Sequence, residues 1–300
     1  MPGHVRTCVI FNPTARGEKA RQLRPYLDEI ARKATLKATT SAGDARHLAA
    51  EAAREGFEIV VAAGGDGTLN EVLNGLCDAP DALERVRLAV LPLGTVNVFA
   101  REIGFPAGLK AAWEIILRAR ESRIDLPCVE YSSSGKVEPR YFAQLAGAGL
   151  DARAVELVNW RVKKLAGPLA YVLAGCHALL GTPSQITVNG GTRTLTAGLV
   201  LIGNGRLYGG PFRIFPQADL RDGLLEVRVF PRADWLTLVR YGPRLLLRGE
   251  LPASAAEVFQ TRTLSLTSAS PAPLEVDGEF IGHLPATFSI LPSRLRVIVP

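Results

Sequence analysis

The chain has 300 residues, of which 47% are hydrophobic, so it can bury one large core or two ordinary ones, and the length favours two domains. This excludes a small disulfide-stapled chain and a disordered one. The 35 Lys and Arg exceed the 29 Asp and Glu to give +6, a mild basic bias compatible with nucleic acid, anionic lipid or phosphate ligands.

The four cysteines, Cys8, Cys77, Cys128 and Cys176, are far apart and form no CxxC pair, which suggests neither a zinc site nor a disulfide framework. A reducing cytoplasm is the expected compartment. The start of the chain, "MPGHVRTCVIFNP", has only a short apolar run before Asn12 and Pro13, so no signal peptide is expected.

In chain order the first part alternates strand and helix. "CVIFNP" is followed by a helical stretch from Glu18, then "LKATTS", the helix "GDARHLAAEAAREG", the strand "FEIVVAAGG", a helix from Thr68 and the strand "RLAVLPLG". Continuous apolar strands between amphipathic helices indicate a parallel sheet covered on both faces, a doubly wound, Rossmann-like α/β domain. Ligands of such sheets bind at the carboxyl ends of the strands, where "NPTARG", "GGDGT" and "PLGT" fall.

After "RIDLPCVE" the pattern changes to short β-like runs separated by Gly, Pro and Ser, interrupted by helices near 152–180 and 233–248. This predicts a β-rich, sandwich-like or barrel-like second domain, with domains at 1–127 and 128–300. The second domain contains "LAGPLAYVLAGCHALLG", 165–181, which lacks Asp, Glu, Lys and Arg but is shorter than the ~20 apolar residues of a spanning helix. It reads as a buried or membrane-touching helix. Arg153, Arg161, Lys163 and Lys164 beside it could rest on anionic headgroups, although such a stripe is more often a solvated helix face.

The stretch "VVAAGGDGTLNEVLNGL" carries the clearest chemistry. A loop that ends a buried strand and opens a helix presents unpaired N–H groups, and Gly64, Gly65 and Gly67 let backbone approach a phosphate. Asp66 repels a phosphate by itself, but it fits a sugar hydroxyl or a magnesium ion held against phosphates. The alternative is a tight turn in which Asp66 caps the helix. There is no GxxxxGK[ST], and "GAGLDA" at Gly147, Gly149 and Ala152 matches a dinucleotide pattern without the acidic residue that would hold a ribose, so it reads as structural.

"FNPTARG", "GGDGTLNEVLNGL", "LPLGTVNVFARE", "IGNGRLYGGPFRIFPQADLRDGLLEV" and "VDGE" occur in that order, and together they resemble the diacylglycerol kinase catalytic family. That family includes bacterial lipid kinases and sphingosine kinases, and it is related more distantly to NAD kinases. The resemblance implies an NAD kinase/diacylglycerol kinase-like fold and a transferase of phospholipid metabolism that passes the γ-phosphoryl of ATP to a lipid hydroxyl.

It implies nucleotide contacts at Asn12, Thr39, Gly64, Gly65, Asp66, Gly67, Thr68, Leu69, Asn70, Glu71 and Thr95. It further implies a catalytic group comprising Asp66 and, in "VDGE", Asp277 or Glu279 as the base that takes the hydroxyl proton. A structural Mg²⁺ is implied at "DLRDGLL", held by the Asp222 side chain and the backbone carbonyls of Asp219 and Leu224. On spacing alone, "VDGE" and "DLRDG" each read as an Asp-Gly turn.

One departure from the family pattern is Val98, where lipid kinases commonly carry an Asp that joins a network with Asp66; Asp125, another member of that network, is retained. The expected cofactors are ATP and Mg²⁺. The expected partners are a lipid substrate and, peripherally, the inner face of the membrane, with no nucleic acid and with a homodimer left open. The alternatives are a soluble nucleotide kinase of the NAD kinase kind and a nucleotide-binding regulatory protein without turnover.

Overall fold

The computed structural model describes residues 5–13, 23–133, 135–157, 185–191 and 193–300. The helix expected from Glu18 begins outside the described residues. The segment 165–181 lies outside them, as do Arg161, Lys163, Lys164 and Cys176. The chain forms two compact units, one of residues 1–126 with 292–300 and the other of 127–291.

In the first unit, β1 (Thr7–Phe11) and a short α1 (Leu27–Ala31) lead to β2 (Thr35–Ala38) and α2 (Asp44–Arg54). Then follow β3 (Ile59–Gly64), α3 (Asp66–Cys77), the one-turn α4 (Ala82–Arg85), β4 (Arg87–Pro92), α5 (Val98–Glu102) and α6 (Leu109–Arg118). The strands align in parallel in the order β2-β1-β3-β4. Residues 8–10, 59–63 and 88–91 are buried throughout, the unbroken apolar pattern of a sheet covered on both faces. Cys8 sits in this layer, where burial pushes its thiol up to about 12 and leaves it inert at neutral pH.

The sequence pattern assigns 292–300 to the second domain, but these residues return to the first unit. There Val297 pairs in parallel with Leu88 of β4. A strand that comes home from the far end of the chain leaves no local signal, because its partner is some two hundred residues away.

The second unit takes up β5 (Glu121–Ser133) from Pro127 onward, β6 (Lys136–Tyr141), β7 (Leu145–Gly149), α7 (Leu150–Leu157), β8 (Ile186–Gly190), β9 (Arg193–Ala197) and β10 (Leu199–Gly203). It continues through β11 (Leu207–Tyr208), β12 (Phe212–Arg213), β13 (Leu225–Phe230) and α8 (Trp235–Arg248). The last elements are β14 (Glu257–Thr261), β15 (Thr263–Ser268), β16 (Pro273–Val276), β17 (Glu279–His283) and β18 (Ala286–Ile298), of which the part before Pro292 belongs here.

One antiparallel sheet runs β14-β13-β10-β7-β16-β17, and a second joins β9, β8, β15 and the start of β18. Alternate residues from both share one core: Ala146 and Ala148, Val200 and Ile202, Leu225, Val227 and Val229 from the first; Ile186 and Val188, Leu264 and Leu266, Ala286 and Phe288 from the second. Period-two burial from two sheets into one layer is a β-sandwich. The opposite face of the first sheet, through Leu145, Leu201 and Phe230, packs with Phe215 and with Tyr241 and Leu245 of α8.

Candidate functional site

In the first unit the strand order places β1 between β2 and β3, so the chain leaves β1 on one side and returns on the other. The carboxyl ends around that reversal form the crevice where open α/β sheets bind ligands. Register brings Phe11 level with Ala38 and Ala63, and Gly64 level with Pro92. Asn12, Thr39, the 64–68 loop and Thr95 thus follow four parallel strand ends at one edge. Asn12 and Thr95 are exposed there. Thr39 is buried, and its N–H donates to Phe11 O at 2.9 Å, which fastens the exit of β2 to that of β1.

α3 opens at Asp66, two residues before the Thr68 expected from sequence, and Gly65 rather than Asp66 occupies the cap position. Asp66 therefore stands in the first helical turn, where its carboxylate is favoured by the helix dipole. Its Oδ1 accepts the N–H of Phe99 at 3.4 Å. With Val98 buried and lacking a carboxylate, the 97–99 segment still reaches Asp66 through main chain. Asp125 is buried and its Oδ1 accepts from Ser293 N at 2.7 Å.

Within the candidate segment the side chains divide. Thr68 packs on Gly64, where a Cβ would stand 2.3 Å from Thr68 Oγ1. Gly67 is exposed, and a Cβ there would meet nothing within 4 Å. The fold itself therefore makes no demand for glycine at 67.

Leu69 and Asn70 point inward and are buried, with Asn74 Nδ2 donating to Asn70 Oδ1 at 3.1 Å. Glu71 turns to the neighbouring helix and accepts from Gly43 N and Ala45 N, each at 3.1 Å, thereby satisfying the amino end of α2. The side chains of Leu69, Asn70 and Glu71 are thus taken up within the protein itself. Asp44, beside them, accepts from Thr40 N at 2.7 Å and from the Thr40 and Ser41 hydroxyls, which hold its carboxyl down at about 2.

In the second unit "VDGE" is the β16–β17 hairpin, with Val276 paired to Glu279. Asp277 and Gly278 both have positive φ, 48° and 79°, the geometry of a two-residue turn that matches strand twist. The two candidate bases are in different positions. Asp277 accepts from the N–H groups of Ala143 at 2.8 Å, Gln144 at 2.9 Å and Leu145 at 3.2 Å, so it anchors the turn to the start of β7. Glu279 has a half-exposed side chain, and its Oε2 is paired with Arg140 Nη2 at 2.8 Å.

The implied cation loop is an Asp turn. Asp222 Oδ1 accepts from Leu224 N at 2.8 Å, Asp222 N donates to Asp219 O at 3.3 Å, and Gln260 Nε2 donates to Asp222 Oδ2 at 3.4 Å. Asp219 and Asp222 are exposed, and the three donors named for the ion are all oxygens. That set would suit a hard divalent cation. Among the described residues no group of three or more His, Cys, Asp or Glu side chains is arranged to hold a metal.

Sequence reasoning missed Gly94 and Asn97. Asn97 has φ 54° and brackets Gly94, accepting from its N–H at 2.9 Å and donating to its carbonyl at 2.7 Å. The spacing Gly-x-x-Asn was the available signal for that closed turn.

A parallel α/β unit with glycine loops at its strand ends, coupled to an antiparallel β-sandwich, is the architecture of the kinases related to NAD kinase. The comparisons place the chain within that class. Residues 6–129 match the diacylglycerol kinase catalytic domain, and 144–299 match the YegS C-terminal NAD kinase β-sandwich-like domain. The chain belongs to this diacylglycerol kinase-like family, which is a family of kinases.

A diacylglycerol kinase of Staphylococcus carnosus is 29% identical over 303 aligned residues, 98% of this chain and 95% of that protein. One of Staphylococcus aureus is also 29% identical, over 98% of this chain and 92% of its own length. Among solved structures, a Bacillus anthracis diacylglycerol kinase superposes with a TM-score of 0.72 at 19% identity, over 99% of this chain and 97% of that one. Another Bacillus anthracis chain gives 0.78 at 23% identity, over 99% and 98%.

Proposed function

We propose that the chain is an ATP-dependent lipid kinase that transfers the γ-phosphoryl group of ATP to the hydroxyl of a diacylglycerol-like acceptor at the inner face of the membrane. The observation that carries the reading is the convergence of Asn12, Thr39, the Gly64–Thr68 loop and Thr95 at the strand-order reversal of a parallel sheet. In this reading Gly65 and Gly67 admit the phosphates to main-chain N–H groups, and Asp66 orients the nucleotide and its Mg²⁺. Bound Mg²⁺ neutralises charge that develops on the transferred group.

Glu279 is the preferred base. Asp277 is committed to three backbone donors, whereas Glu279 can leave Arg140 to accept a proton from the lipid hydroxyl. Before that step the pair with Arg140 would aim the Glu279 carboxylate. Asp222, with the carbonyls of Asp219 and Leu224, would hold a second Mg²⁺ that stabilises the loop rather than takes part in transfer. Peripheral attachment fits the described helices, none of which is long and apolar enough to cross a membrane.

Purified protein with labelled ATP, Mg²⁺ and a panel of lipid alcohols tests the reading by thin-layer separation of products. Labelled lipid that disappears with Asp66→Ala and with Glu279→Gln supports it. Label on NAD with none on lipid would select a soluble nucleotide kinase instead. ATP binding by calorimetry with no transfer to any acceptor would select a regulatory role, for which the absent carboxylate at Val98 is the motive.

A further inference from the structure

α8 is apolar on two opposite sides. Tyr241 and Leu245 pack inward on the sandwich, yet Trp235, Leu236, Val239 and Leu247 are 45%, 69%, 68% and 86% exposed. Half of the eight large apolar side chains exposed among the described residues thus lie on this one helix.

At helical spacing the outward surface resolves into two neighbouring i, i+4 ridges. One is Trp235–Val239–Pro243–Leu247. The other, extended back through the loop before the helix, is Arg232–Leu236–Arg240–Arg244–Arg248, and all four arginines are exposed. The helix contains no Asp or Glu, and Asp234 just before it is spent on the cap, accepting from Thr237 N at 2.8 Å.

We infer that α8 is a membrane-docking helix that lies flat on a bilayer bearing anionic headgroups, with the Trp235–Leu247 ridge among the acyl chains and the arginines against phosphates. The occupant follows from the charge pattern. An apolar ridge bordered by arginines, on a helix that itself contains no acid, suits an extended negative interface. The choice of a bilayer over an acidic protein also rests on the lipid-kinase reading, since such an enzyme must meet its acceptor at an interface.

The test is flotation of the purified full chain with phosphatidylcholine vesicles, with and without phosphatidylglycerol, in the absence of ATP and acceptor. Its readout is therefore independent of kinase activity. Wild type should float with the phosphatidylglycerol vesicles and far less with phosphatidylcholine alone.

A triple variant Leu236→Ser, Val239→Ser, Leu247→Ser should lose flotation while keeping its melting temperature. Arg240→Gln, Arg244→Gln and Arg248→Gln should each weaken partition about fivefold, and about a hundredfold together, and the triple should erase the phosphatidylglycerol dependence. Flotation with no transfer in any lipid assay would leave this inference standing and remove only the kinase reading. Wild type that stays at the bottom of the gradient, or apolar variants that float as wild type does, would overturn it. So would a dimer in light scattering that the Ser substitutions convert to monomer without changing flotation, because the ridge would then be a contact between copies.

Discussion

Gly94 lies so close to Gly65 that a Cβ on Gly94 would stand 2.6 Å from the Gly65 Cα. The loops after β3 and β4 therefore touch backbone to backbone, and no flexible side chain can yield. Gly94→Ala should push them apart at a cost of about 1–3 kcal/mol, with weakened ATP binding, as read by urea unfolding and calorimetry. Gly67→Ala provides the contrast. It meets no atom of the protein, so stability should hold or rise by up to about 1 kcal/mol from the better helix former. Affinity for ATP should fall nevertheless. An undiminished affinity in Gly67→Ala would remove the close phosphate approach from the site.

The hairpin carboxylates should separate when each is replaced. Asp277→Ala leaves three main-chain donors unanswered near the start of β7, so it should destabilise the second unit by about 3 kcal/mol. Glu279→Gln keeps size and polarity at a half-exposed position and should leave the melting temperature within a degree or two. Its transfer rate should drop by about two to three orders of magnitude, the usual contribution of a positioned base. A Glu279→Gln enzyme at wild-type rate would move the base elsewhere.

Glu71 makes a similar point in the first unit. Its carboxylate answers two N–H groups at the amino end of α2, so Glu71→Ala should cost about 1–2 kcal/mol by loss of that cap. Glu71→Gln retains an acceptor oxygen and should recover part of this. If Glu71→Ala lost ATP binding at unchanged stability, the side chain would belong to the ligand rather than to the helix.

The sequence made legible what is carried by local pattern. Unbroken apolar strands between amphipathic helices announced the parallel sheet, and the glycine loops announced the strand ends at which they gather. What it hid depends on distant pairs. Residues 292–300 join the first unit because Val297 meets Leu88, which no window of sequence displays. Asp277 and Glu279 are two residues apart and equally acidic in the string. Only the fold puts one beneath three N–H groups and the other beside Arg140. Glu71 falls inside a nucleotide motif, yet its carboxylate reaches backward to Gly43 and Ala45.

The same hidden pairing yields a pH prediction. Asp151 Oδ2 and Glu275 Oε1 converge on Gly147, where a Cβ would stand 2.6 and 2.8 Å from them. Tyr208 donates its hydroxyl proton to Asp151 Oδ1, and Gly278 N donates to Glu275 Oε2 at 2.8 Å. Glu275 is buried and Asp151 half-buried, and two such carboxyls side by side cannot both ionise cheaply. Burial raises both, and the Asp151 and Asp277 charges raise Glu275 further, well above the usual carboxylate range.

A proton is thus kept in the folded state that the unfolded chain releases near the ordinary carboxylate pKa of about 4. The folded protein binds more protons, so the pair's contribution to stability is full below that value and is lost as pH rises toward the raised folded pKa. Glu275→Gln keeps an acceptor for Gly278 and removes the ionisation. Across urea midpoints from about pH 5 to about pH 8, the wild type should lose stability relative to Glu275→Gln, with the two closest at the acidic end. Parallel profiles would mean that the two carboxyls do not share a proton.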